Sequence, residues 1–257
     1  MHLKSVLFSL FLFGFAFLPT RSPVGYKVKP HLPYQEGVAV VELFTSQGCS
    51  SCPPADRLLS GLINEAELNG KPIYALSFHV DYWNRLGWKD PYSDPSFTQR
   101  QYTYGRKLAL ETVYTPQMIV NGSAEFVGSN ERLAKETING ALGNKVKNKV
   151  MVSSLSIEED VLKVKYALQH IEEDAVINVA IVERGITTPV MRGENHGRIL
   201  SHDNVVRFFE QKKAILEGSI EVDLPESINY KKCSLILYLQ NHHDYSIEGA
   251  TKVSFNF

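Results

Sequence analysis

The chain has 257 residues, of which 44% are hydrophobic and 21% charged. It can bury one large core or two ordinary ones, and it is too apolar to be a disordered protein. Its 27 basic and 28 acidic residues leave a net charge of −1, which gives no reason to expect a nucleic-acid or anionic-membrane partner.

Lys4 precedes an apolar run from Val6 to Leu18, followed by Pro19, Thr20, Arg21 and Ser22. As helix, that run would span about 20 Å, short of the roughly 30 Å hydrocarbon layer. Residues 1–21 therefore read as a secretory signal peptide, or as an N-terminal anchor if uncleaved, and a membrane contact is expected only in the second case. Export makes the expected location secreted or periplasmic, where disulfides persist. Residues 22–37, with Pro23, Pro30 and Pro33, read as an extended lead-in.

Val38 to Thr45 is a near-continuous apolar run, as in a central strand covered on both faces. A Cys-x-x-Cys pair, Cys49 and Cys52, follows it directly. After Cys52, Leu58, Leu59, Leu62, Ile63 and Ala66 repeat at helical spacing. Pro53 and Pro54 fit the first turn of that helix, and Ser50 or Ser51 is placed to cap it. Two thiols one turn apart at a helix mouth can form and break a disulfide, with the thiolate favoured by the helix end. The same spacing also serves a static bridge, or a pair of thiolates for a soft metal such as copper, with His79 as a further ligand. No second CxxC exists, since the remaining cysteine is Cys233.

Pro72 to Val80 reads as the next strand, with His79 and Asp81 at its end, either near the thiols or capping the strand. Residues 81–112 form an aromatic-rich insert carrying Tyr82, Trp83, Trp88, Tyr92, Phe97, Tyr102 and Tyr104. Ser93-Asp94-Pro95 starts a helix expected to run from Pro95 to Leu110. These rings suit either a substrate groove beside the thiols or a cover for the sheet. In Val113 to Gly128, short apolar runs flank Asn121-Gly122, a strong hairpin signal, with Pro116 just ahead of the first. A last helix follows, capped by Asn130.

Strand, CxxC, helix, strand, insert, Thr-Pro, hairpin and helix come in the order of the thioredoxin fold, and residues 38–147 resemble thioredoxin-like proteins. FTSQGCSSCPP, HVDYW and YTPQ together resemble a secreted thioredoxin-like family known as a domain of unknown function. The resemblance implies that Thr115-Pro116 is a cis peptide bordering the cysteines. It also aligns Glu42 with the buried acid behind them, which implies a proton shuttle for Cys52; a salt-bridged structural Glu42 is the other reading. Three departures stand out: Ser50 and Ser51 lie between the cysteines, Gly48 rather than a Trp precedes them, and the insert is large.

From 148 to 257, short strand-like runs (150–157, 161–169, 176–183, 220–224, 235–240 and 253–257) are separated by polar turns. Cys233 alternates with Leu235, Leu237 and Leu239 and reads as an inert buried residue. The polar segment Arg192 to Arg207, with Glu194, Asn195, His196, His202 and Asp203, reads as a long crossover or a ligand site, and His242-His243-Asp244 as a hairpin turn. No phosphate loop, dinucleotide fingerprint, HExxH or GxSxG motif is present, so no cofactor is expected.

The expected fold class is α/β: a thioredoxin-like domain over 38–147 followed by a small all-β sandwich-like domain over 148–257. The expected function is an exported thiol-disulfide oxidoreductase with Cys49 as nucleophile, Cys52 as resolving thiol, and Thr115, Pro116 and Glu42 beside them. Its partners would be protein thiols or disulfides and an unidentified redox protein. That reading requires both sulfurs at a solvent-reachable rim facing Pro116. The alternatives are a non-catalytic extracytoplasmic binding protein stapled by a disulfide, and a copper carrier.

Overall fold

The structure, a computed structural model, describes residues 24–26, 37–225 and 227–255. The expected signal or anchor at 1–21 lies outside them. No helix among the described residues is long and apolar enough to cross a membrane.

The chain forms a mixed α/β fold built on one large mixed sheet. The buried strand β2 (Ala39–Thr45) runs parallel to the equally buried β3 (Ile73–His79) and antiparallel to β4 (Gln117–Val120). The hairpin partner of β4 is β5 (Ala124–Val127). Between β2 and β3 lies α1 (Pro53–Asn69), whose first turn accepts Pro53 and Pro54 and which ends at Gly70, in the left-handed region at φ 61. The insert supplies α2 (Pro95–Lys107), capped by Asp94 accepting from Ser96 N at 2.7 Å. This helix ends three residues before the expected Leu110. After β5 comes α3 (Glu131–Gly143), capped by Asn130.

The second half contributes β6 (Val150–Glu158), β7 (Val161–Leu168), β8 (Ala175–Glu183), β9 (Ile186–Pro189), β10 (Ile199–His202), β11 (Val205–Lys213), β12 (Glu217–Asp223), β13 (Cys233–Asn241) and β14 (Ile247–Ser254). Val24–Tyr26, β1, pairs with β6, and the small sheet runs β1-β6-β7-β12. The large sheet runs β14-β13-β8-β11-β3-β2-β4-β5, so it crosses from one expected half into the other. The join is β11 beside β3, in register at Val205 and Ser77. The expected crossover at 192–207 thus holds β10 and the start of β11. Its Arg, Glu and Lys residues obscured the strand, because most of β11 is only half-buried.

Three cores follow from strand alternation. One face of β2 and β3, with Ala39, Val41, Leu43 and Ala75, packs on Leu59, Leu62 and Ile63 of α1 and on Ile138 of α3. The other face, with Val40, Phe44, Leu76 and Phe78, meets Phe97 and Tyr104 of α2, together with Val182, Ile236 and Tyr238 from the second half. The opposite side of those last strands, Val179, Ile181, Leu235 and Leu237, packs on Leu155, Leu162 and Val164 of the small sheet. Buried side chains of this size contribute about 1.5–3 kcal/mol each. The insert therefore lies across the seam between the halves, which is what brings its loops to the end of β2.

Candidate functional site

Beyond Thr45 the chain turns through Ser46 to Gly48, with Cys49 N donating to Ser46 O at 3.2 Å. Cys52 is the N-cap of α1, and its carbonyl accepts from Ala55 N at 2.9 Å and Asp56 N at 3.1 Å. Neither Ser50 nor Ser51 caps the helix, contrary to expectation, because the prolines remove amides that a cap would serve. Cys49 and Cys52 are joined in a disulfide, with Cα atoms 5.4 Å apart.

The Thr115-Pro116 peptide is cis. Thr115 O lies 3.8 Å from Cys49 Sγ, and Ser51 Oγ lies 3.3 Å from that sulfur and 3.5 Å from Thr115 O. Trp83 of the insert donates from Nε1 to Thr115 Oγ1 at 2.7 Å. A Cβ on Gly48 would meet Trp83 Cβ at 3.0 Å, so glycine at this position admits the ring. The structure thus brings Cys49, Cys52 and the Thr115-Pro116 bond together.

The two cysteines are not at an open rim. Both have 0% exposure, while Ser50 and Ser51 between them face solvent. Against the CxxC turn lies a cap between β9 and β10, two strands that pair with each other. The buried Asn195 donates from Nδ2 to Gln47 O at 3.0 Å and to Cys49 O at 2.8 Å. Glu194 accepts from Ser50 N at 3.0 Å, and the Ser50 hydrogen bonds hold its carboxyl below the usual range. Gly193 and Gly197, at φ 75 and 79, turn the chain on either side. Trp88 Nε1 donates to Gln47 Oε1 at 3.1 Å, completing the cover.

Glu42 is not behind the cysteines. It alternates onto the α2 face of β2, where Arg100 clamps it from Nε at 2.6 Å and from a terminal nitrogen at 2.8 Å, and Tyr104 donates at 2.6 Å. The salt-bridged reading of Glu42 is the one the geometry gives.

On the α1 face, the sequence reading overlooked Asp56 and Asp90. Asp56 accepts from Thr45 Oγ1 at 2.9 Å, and Asp90 pairs with His79 Nδ1 at 2.8 Å while accepting from Gln47 N at 2.8 Å. Burial pulls the His79 imidazole down, but the Asp90 carboxylate outweighs it and raises its pKa. Burial pushes Asp90 up, and the His79 charge together with backbone hydrogen bonds outweighs that and lowers it. An acid four residues after Cys52, on a helix face otherwise filled by Ala55, Leu59 and Leu62, was the signal available in the sequence. Asp81 instead accepts from Thr98 Oγ1 at 2.5 Å, at the start of α2.

Cys233 is buried, its thiol pushed up to about 12 by burial and by Glu183, and its sulfur donates to Asn229 O at 3.1 Å. Phe97 and Tyr104 cover the sheet, whereas Tyr82, Arg85, Tyr102 and Arg106 line a cleft of about 460 Å3 in the insert. No group of three or more His, Cys, Asp or Glu residues among the described residues is arranged to hold a metal ion.

Residues 40–240 match the family described as protein of unknown function DUF1223. The chain belongs to the DUF1223 family. Among solved structures, the DUF1223 chain is similar to a crystal structure of a protein from Agrobacterium tumefaciens, at 31% identity and a TM-score of 0.63, covering 86% of this chain and 96% of that one. A domain of the outer membrane lipoprotein Omp28 from Porphyromonas gingivalis aligns at 12% identity and a TM-score of 0.27, over 43% of this chain and 96% of that one. No curated protein matches the DUF1223 chain.

Proposed function

We propose that this chain is an exported thiol-disulfide oxidoreductase whose Cys49–Cys52 couple works beneath a movable cap. The supporting observation is the disulfide at the mouth of α1 with Thr115 O 3.8 Å from Cys49 Sγ and a cis peptide after it. The strand order β3-β2-β4-β5, with α1 and α3 on one face, supports the thioredoxin-like resemblance and with it the same reading. Export rests on the apolar segment before residue 21 and on the disulfide itself.

In the oxidised protein, a thiolate of a substrate dithiol attacks Cys49 Sγ. The Cys49–Cys52 bond breaks, and Cys52 sulfur leaves and takes a proton. The second substrate thiol, losing its proton, then attacks the mixed disulfide, so the substrate leaves oxidised and Cys49 leaves reduced. The reverse sequence oxidises the pair.

A second reading, a disulfide that only braces the fold, is favoured by the complete burial of both cysteines. Against it, a ring closed over three residues of sequence separation constrains the unfolded chain by only about 2 kcal/mol. The deciding experiment incubates Cys52→Ser with a model disulfide protein and resolves mixed disulfides on a non-reducing gel. The oxidoreductase should form a trapped adduct through Cys49, absent from the double Cys→Ser chain. A Cys52→Ser chain that forms no adduct and a wild type that catalyses no exchange leave the bracing role.

A further inference from the structure

Both cysteines have 0% exposure, so the groups packed around the sulfur that leaves when the bond breaks are protein groups, and a buried acid or imidazole among them is placed to supply its proton. Glu42 cannot supply it, because it lies on the far face of β2 with its oxygens held by Arg100 and Tyr104. The α1 face holds a different set. Asp56 is one helical turn beyond Cys52, on the same face of the helix. Its Oδ2 lies 3.6 Å from His202 Nδ1, the His202 ring meets the His79 ring edge-on at 4.7 Å, and His79 Nδ1 is 2.8 Å from Asp90. All four side chains are at least 95% buried.

Asp56 Oδ2, both nitrogens of His202 and His79 Nε2 find no hydrogen-bond partner among the described residues. A buried polar group left so destabilises the fold, and apolar side chains of similar volume would pack there at no such cost. The side chains that carry these unpartnered atoms lie in a row from α1 through the ends of β10 and β3 to the insert.

We infer that Asp56, His202, His79 and Asp90 form an internal proton relay serving Cys52, an inference that rests on the oxidoreductase reading above. When the disulfide is reduced, the proton that His79 holds against Asp90 is given up by way of His202 and Asp56 to the Cys52 thiolate, leaving His79 neutral, and on oxidation it returns to His79. Asp56 stands nearest the thiol in the chain. His202 links it to His79, and Asp90 anchors the far end through its bonds from Gln47 N and Tyr92 N. Facing His202 are Asp56 from α1 and His79 from β3. Tyr92, whose ring meets His79 edge-on at 5.8 Å and carries Arg207 over it at 5.3 Å, completes the surroundings.

The test measures the rate of disulfide reduction by dithiothreitol against pH, corrected for ionisation of the reagent, in wild type, Asp56→Asn and His202→Gln. General acid–base transfer of this kind contributes roughly 10²–10⁴-fold. Each variant should lose at least tenfold at neutral pH, both should change the shape of the pH profile, and Asp56→Glu should recover part of the rate. Profiles that superpose on the wild type, with only the melting temperature lowered, overturn the relay.

A second measurement needs no variant: imidazole carbon spectra of the wild-type chain, oxidised and reduced, titrated with pH. The titration midpoint of His79 should move by more than half a pH unit on reduction, and an unmoved midpoint overturns the relay. A wild type that exchanges with no substrate disulfide refutes the oxidoreductase reading, while exchange with unchanged profiles refutes the relay alone.

Discussion

Asn195 makes two bonds across the mouth of the disulfide, to the carbonyls of Gln47 and Cys49. Hydrogen bonds of this kind contribute about 0.5–1.5 kcal/mol each, so Asn195→Ala should make opening of the cap easier by about 1–3 kcal/mol. Reduction by dithiothreitol, followed through Trp83 and Trp88 fluorescence, should then accelerate about 5- to 150-fold; an unchanged half-time would show that the cap does not gate the sulfurs. The His79–Asp90 pair ties stability to pH. Raised above 6.5, His79 gives stability that is complete below that pH and lost as pH rises through its folded value. Lowered below 3.8, Asp90 gives stability that is present above that pH and lost as pH falls through its folded value. The difference in melting temperature between wild type and Asp90→Asn should therefore be greatest between pH 3.8 and 6.5 and shrink on both sides. A difference flat across pH would mean that the pair is not ionised in the fold.

Among the elements, α1 and the cap carry the site with opposite characters. Helix α1 is anchored by Ala55, Leu59, Leu62, Ile63 and Ala66 against β2 and β3, while the cap is a turn between two four-residue strands that pair with each other. Its tip meets the CxxC turn through the polar contacts of Glu194 and Asn195, so it is the part able to move without disturbing a core. Reducing the disulfide should consequently leave α1 in place. With a loss of about 2 kcal/mol, the melting temperature should fall by about 4–8 °C in a calorimetric scan. A fall several times larger would favour the bracing role. The helices and the β4–β5 hairpin were legible because period, cap and turn residues agreed locally, as at Asp94, Asn130 and Asn121-Gly122. Strand β11 was not, because its pattern reflects a surface only half covered by its neighbours.

For the molecule as a whole, the eight-stranded sheet ties the halves together, and α2 sits across the join with Arg100 bridging Glu42 to Tyr238. Cutting the chain after residue 147 would bare the edge of β3 and leave Arg100 without Tyr238 and Gln240. The fragment 37–147 should therefore aggregate or unfold without a cooperative transition, where the whole chain gives a single one; a soluble fragment with its own sharp transition would contradict this. The sequence by itself determined the local chemistry: a CxxC at a helix mouth, a Thr-Pro before a hairpin, and the helices and most strands, all encoded within a dozen residues. Only the tertiary structure decided that the sulfurs are covered, that Glu42 faces Arg100, and that Asp56, His202, His79 and Asp90 meet. Those outcomes depend on which face of a strand each side chain takes and on loops 100 or more residues apart in the chain, such as Cys49 and Asn195, and hydrophobic periodicity carries no record of such contacts.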